Sequence, residues 1–109
     1  MERIQIGEFE ELVLLITAIL HGEAYGVSVM DEILNQTGRK VNISAVHTAL
    51  DRLEKKSFLK SKIGGATSER GGRSKRFFEV TDLGVKAIEI NRQVRNSLYQ
   101  QIPSVVLHR

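Results

Sequence analysis

A mainly α-helical fold carrying one small β-hairpin is the class this sequence predicts, and three observations predict it. The first half holds three apolar-periodic segments separated by short turns. Two β-prone runs follow, on either side of a glycine-rich stretch. The chain then finishes on a long segment in which apolar residues alternate steps of four and three.

The first helix is built on Phe9, Leu12, Val13, Ile16, Ile19 and Leu20. Leu14, Leu15 and Ala18 widen its apolar surface until little of it is expected to face water, and Gly22 closes it. The second begins near Tyr25-Gly26, places Val27, Met30, Ile33 and Leu34 on one face, and meets a glycine suited to a C-cap at Gly38. After Arg39-Lys40-Val41, either Asn42 or Ser44 can cap a third helix running to Lys56, with Val46, Leu50 and Leu53 inward. Phe58 to Ile63 and Ser74 to Val80 have strand character, and Gly64 to Arg73 is loop by composition. Thr81 can cap the last helix, where Leu83, Ala87, Ile90, Val94 and Leu98 form one stripe until Pro103 ends it. Three helices, a hairpin and a trailing helix in that order describe a winged helix-turn-helix, with residues 1–80 as the winged-helix unit and 81–109 as a C-terminal dimerisation helix and tail.

At 109 residues the chain has room for one domain, which buries roughly two-thirds of the unfolded chain's surface. It contains no cysteine, so disulfides, thiolate metal sites and a nucleophilic thiol are excluded. The longest apolar run, Leu12 to Leu20, falls far short of the ~20 residues a membrane span needs. The N-terminus, with Glu2, Glu8, Glu10 and Glu11, does not read as a signal peptide, so a cytoplasmic protein is expected, with no membrane partner. His21, His47 and His108 lack metal-type spacing, and the glycine pairs lie in a basic hairpin rather than between a strand and a helix. Neither an enzyme, a bound metal nor a cofactor is therefore expected.

The formal charge is +3, but its distribution is uneven. Between Lys55 and Arg76 eight basic residues face Glu69 alone, a local +7 that leaves the rest of the chain at −4. Concentrated positive charge of this kind suits a phosphate backbone. The polar face of the third helix carries Ser44, His47, Thr48, Asp51, Arg52 and Lys55, a mixture of donors and acceptors with which a helix in the major groove reads base edges. In the hairpin, Arg70, Gly71, Gly72, Arg73, Lys75 and Arg76 pair permissive backbone with cations that meet phosphates or enter a narrow minor groove. Double-stranded DNA is thus the expected partner. A second copy of the chain is the other, because the stripe Leu83, Ala87, Ile90, Val94 and Leu98 has more apolar surface than so small a domain covers. The alternatives are a winged-helix protein-interaction module and an architectural DNA-binding protein with little sequence preference. Of the aromatics, Phe9, Tyr25, Phe58, Phe77 and Phe78 are expected in packing, and Tyr99 is the exception available to a ligand.

Blocks along almost the whole chain resemble the PadR family of transcriptional regulators. Ile6-Gly7-Glu8-Phe9-Glu10 with Val13-Leu14 is similar to the family's first helix, and Ala24-Tyr25-Gly26-Val27 to the start of its second. Ala45 to Glu54 resembles its recognition helix, while Glu69 to Phe78 followed by Val80-Thr81-Asp82-Leu83-Gly84 resembles its wing and the start of its dimer helix. Two residues depart from the pattern: His47 stands where the family usually has tyrosine, and Ser57 where it usually has glycine. The resemblance implies a DNA-binding repressor more often than an activator, sometimes with an effector near the dimer interface, expected here between the first and last helices.

Overall fold

The computed structural model describes residues 5–64 and 74–108. Its elements run α1 (Glu8–Ile19), α2 (Gly26–Thr37), α3 (Ile43–Lys55), β1 (Leu59–Gly64), β2 (Lys75–Val80), α4 (Asp82–Gln100) and α5 (Ser104–Leu107). Val13, Leu14 and Ile16 of α1, Val29 and Ile33 of α2, and Val46, Ala49, Leu50 and Leu53 of α3 make the core. Phe58, Leu59 and Phe78 of the hairpin and Ala87 of α4 close it.

Several helix boundaries have a local cause. Asn42, and not Ser44, caps α3: its Oδ1 accepts the Ala45 N–H at 2.7 Å, so α3 starts at Ile43. Gly38 ends α2 at φ 73°, a left-handed conformation that favours glycine. Thr81 caps α4, its Oγ1 accepting the Gly84 N–H at 3.0 Å while donating to the Ser57 carbonyl at 2.6 Å. The exit from α3 is a Schellman motif. The Phe58 N–H returns to Leu53 O at 2.9 Å and the Ser57 N–H to Glu54 O at 2.9 Å, with Phe58 and Leu53 both buried. Ser57 itself sits at φ 67°, so the residue that departs from the family's glycine occupies a left-handed position.

The hairpin is antiparallel, pairing Leu59 with Val80, Ser61 with Phe78 and Ile63 with Arg76. The Phe78 N–H also donates to the Ala24 carbonyl at 2.8 Å, tying the wing to the turn before α2. Phe58 belongs to the turn that leaves α3 rather than to β1, and Gly64 is strand rather than loop.

The inward face of α2 differs from the expected one. Gly26, Val29 and Ile33 are buried, whereas Val27 and Leu34 are exposed. Two neighbouring stripes of this helix are both apolar, and the close seat of α2 on α3 selects the one that includes the side-chain-free Gly26. Leu15 and Ile19 of α1 are likewise exposed, so the protomer does not bury that helix all round.

Among its residues α4 buries only Gly84 and Ala87, both near its start. A Cβ at position 84 would run into the Phe58 carbonyl oxygen, so the lack of a side chain there lets the helix approach. From Arg92 onward every described residue is exposed. The Cα radius of gyration is 16.5 Å, against about 13 Å for a compact chain of this length. The molecule is 61 Å long as a result. Beyond Pro103 the chain forms the short α5, which the apolar periodicity did not announce.

Candidate nucleic-acid interface

Burial of Val46, Ala49, Leu50 and Leu53 turns the opposite face of α3 to solvent, and Ser44, His47, Thr48, Asp51, Arg52 and Lys55 are all exposed there. The cap at Asn42 leaves the N-terminal half clear. Among the described residues, Ser44, His47 and Thr48 are engaged in no side-chain hydrogen bond or ion pair, and Lys40, in the turn just before the cap, is equally uncommitted. Lys40 is not among the residues that the sequence pattern singles out, although its place just ahead of the helix start is a readable signal. The His47 ring lies over Gly26, where an added Cβ would come within 2.5 Å of Cε1. Glycine at the start of α2 therefore makes room for the imidazole.

The C-terminal half of α3 is held by ion pairs. Glu10 of α1, its side chain only 13% exposed, lies 2.7 Å from Lys56 Nζ and 3.7 Å from an Arg52 nitrogen. Its neighbours act similarly. Glu8 takes Arg39 Nη1 at 3.0 Å, with that guanidinium also over the Phe9 ring, and Glu11 takes Arg95 Nη2 at 3.1 Å. Three carboxylates in the first turn of α1 thus bind α4, the turn after α2, and α3, at an end where the helix dipole favours negative charge.

Arg76, one of the residues expected at the DNA, is turned onto α3. Its Nη2 pairs with Glu54, its Nη1 lies 3.6 Å from Asp51, and its Nε donates to Ser61 Oγ at 3.0 Å. The Ser61 hydroxyl in turn donates to Glu54 at 2.6 Å. A carboxylate pair within reach outcompetes solvent for the guanidinium fork. Lys75 places its Nζ 4.2 Å from the Tyr25 ring centroid, and Tyr25 meets Phe77 edge-on at 5.6 Å. Lys55, Lys60 and Lys62 carry no ion pair among the described residues. Arg70, Gly71, Gly72 and Arg73 lie outside the described residues.

Of the expected dimer stripe, Leu83, Val94 and Leu98 are exposed and Ile90 is partly covered. Ala87 is fully buried within the protomer, so its side chain belongs to the core and not to a surface that a second copy reaches. Tyr99, Ile102, Val105, Val106 and Leu107 are exposed as well.

Two cavities stand elsewhere than between α1 and α4. One of about 270 Å³ is bounded by His21, Gly22, Lys60, Ser61, Lys62, Phe77, Phe78 and Glu79. The other, about 460 Å³, lies between the start of α1 and α3, against Phe9, Glu10, Thr48 and Arg52. No group of His, Asp and Glu that could hold a metal occurs among the described residues, and no described helix is long and apolar enough to cross a membrane.

A three-helix core, a helix presented over its polar face, and a hairpin held to the end of that helix define the winged helix-turn-helix class. Solved structures share this fold. The chain is similar to a PadR family transcription regulator from Clostridium difficile (23% identity, 86% of this chain and 93% of that one, TM-score 0.69). It is similar also to PadR-type regulators from Bacillus cereus (16%, 93% and 92%, TM-score 0.72) and Eggerthella lenta (18%, 94% and 88%, TM-score 0.72). The model of the transcriptional regulator PadR-like family matches residues 14–90, and the chain belongs to that family. DNA-binding transcriptional regulation is the function class that membership carries. No curated protein matches the chain in sequence.

Proposed function

We propose that this protein is a sequence-specific repressor that binds a pseudo-palindromic operator as a homodimer and is released by a small-molecule effector. The observation that carries the reading is the uncommitted N-terminal half of α3: Ser44, His47 and Thr48 are exposed and free of internal partners, as base readout requires. Lys40, Lys55, Lys60 and Lys62 supply cations for phosphates around it. Arg70 and Arg73 of the wing, with Lys75, extend that set.

Residues 1–80 act as the DNA-binding unit and 81–109 as the dimerisation segment. The exposed run Leu83, Val94, Leu98 and Tyr99 supports the second role, because apolar surface on a helix that stands away from its own core is stabilised by a partner. A two-fold dimer presents its recognition helices to half-sites about 34 Å apart. Repression follows from occupying a promoter. The effector is placed where α1 and α4 of the two copies meet, since Leu15 and Ile19 of α1 leave apolar surface there.

Fluorescence anisotropy against the protein's own upstream promoter and a length-matched random duplex, over a salt series, tests the reading. Six to eight phosphate contacts per dimer give a log–log salt slope of about −5 to −7, and a specific regulator prefers its promoter roughly a thousandfold. Equal binding to both duplexes means an architectural protein or a different target promoter. Absence of binding at low salt would remove the DNA reading in favour of a protein-interaction module. Replacing both Val94 and Leu98 by Glu is expected to give folded monomers in sedimentation, and intact dimers would refute the interface.

A further inference from the structure

Arg76 lies beside the C-terminal half of α3, and each of its three guanidinium nitrogens faces a partner within the protomer. Ser61 and Arg76 are diagonal neighbours on one face of the hairpin, given the pairing of Ser61 with Phe78 and of Ile63 with Arg76. That face looks onto the last turns of α3, where Asp51 and Glu54 follow at a spacing of three and share a side of the helix. Glu54 accepts from both Ser61 and Arg76, Arg76 donates to Ser61 and lies beside Asp51, and the guanidinium carbon sits 5.2 Å from the Phe78 ring centroid. The cluster lies toward the Gly64–Lys75 end of the hairpin and ties both strands to the last turns of α3.

We infer that Arg76, Glu54 and Ser61 are positioning residues for DNA binding: a clamp that holds the wing at a set angle to the recognition helix without touching DNA. The inference rests on the DNA-binding reading above. A rigid angle matters because the wing and α3 meet different parts of one duplex, and any freedom between them must be removed on binding at an entropic cost. Arg76 also neutralises two carboxylates that would otherwise stand close to the phosphates.

The clamp and a direct phosphate contact predict opposite signs. Glu54→Gln removes a negative charge near the DNA, so charge alone predicts tighter binding to every duplex. The clamp predicts binding about three- to tenfold weaker, modest because Arg76 is 47% exposed and the pair is partly screened. Arg76→Lys keeps the charge and loses the fork, and is expected to weaken binding equally with the salt slope unchanged. The double variant should bind no worse than the weaker single one, since both remove the same device.

The experiment is promoter anisotropy for wild type and these variants, with the active fraction counted by stoichiometric DNA titration. Unchanged or tighter binding by Glu54→Gln, or additive losses in the double variant, overturns the clamp. Ser61→Ala alters no charge and serves if either variant fails to fold. A two- to threefold loss (about 0.4 to 0.7 kcal/mol) is expected from it, and unchanged affinity counts against the proposal. If the wild type binds no duplex, the functional reading fails separately. Hydrogen exchange in β1 and β2 then decides the clamp: faster exchange in Glu54→Gln and Arg76→Lys supports it, and identical exchange refutes it.

Discussion

The two halves of α3 share one buried stripe and differ in almost everything else. In the N-terminal half, Ser44, His47 and Thr48 are exposed with no internal hydrogen bond or ion pair, and the helix is held by the Asn42 cap, by burial of Val46 and Ala49, and by the seat of the His47 ring over Gly26. In the C-terminal half, Arg52 and Lys56 are drawn to Glu10, Asp51 and Glu54 to Arg76, and a Schellman motif locks the exit. The same helix is thus free where short polar side chains read bases and fixed where long charged ones would otherwise wander. Charge count alone does not distinguish these roles, because a cation inside an ion pair contributes little counterion release until the pair opens.

Four substitutions break or sharpen that contrast. The largest effect is expected from Leu53→Ala, which removes a fully buried side chain of the core at the fixed end. A loss of about 2–5 kcal/mol in urea unfolding is expected, and a loss well under 1 kcal/mol would mean that burial does not anchor this half. Asn42→Ala deletes the cap of the free half and should cost about 1 kcal/mol in the same measurement while leaving the ion pairs intact. Ser57→Gly relieves a left-handed conformation at φ 67°. A gain somewhat under about 1 kcal/mol is expected, because glycine also loses more backbone entropy on folding, and destabilisation would show that the serine is not strained there. Glu10→Gln gives the smallest change in stability, under about 1 kcal/mol. It releases Arg52 and Lys56, so the salt slope of DNA binding should steepen by up to about two per protomer. An unaltered slope would mean that both cations reach DNA with Glu10 in place.

How much of this was readable depends on how far apart the interacting residues lie. Thr81 and Gly38 act on backbone groups within a few residues, so their roles follow from local rules, which for α3 narrow the cap to Asn42 or Ser44. The reading of Ser57 as a departure from the family's glycine was also local, and its left-handed φ gives that departure a physical content. The pairing of Arg76 with Glu54 is not legible because the two lie 22 positions apart, and neither is that of Glu10 with Lys56, 46 positions apart. Periodicity failed on α2 for a different reason. Its apolar residues fill two adjacent stripes, and only the close contact at Gly26 chooses between them.

By itself the sequence determined the order and type of α1 to α4 and of the two strands, the caps at Gly38 and Thr81, and the polar character of the exposed face of α3, since these depend on spacing and on neighbours in the chain, whereas it left Asn42 and Ser44 both open as the cap of α3 and did not announce α5. Only the tertiary structure decided which cations are free and which are spent on ion pairs, that Ala87 is core while Val94 and Leu98 are surface, and that the wing is tied to α3 through Arg76. Those outcomes turn on distances between segments remote in sequence. Such distances are set by packing: small residues at Gly26, Gly84 and Ala87 allow close approach, and that approach brings each charge to its partner.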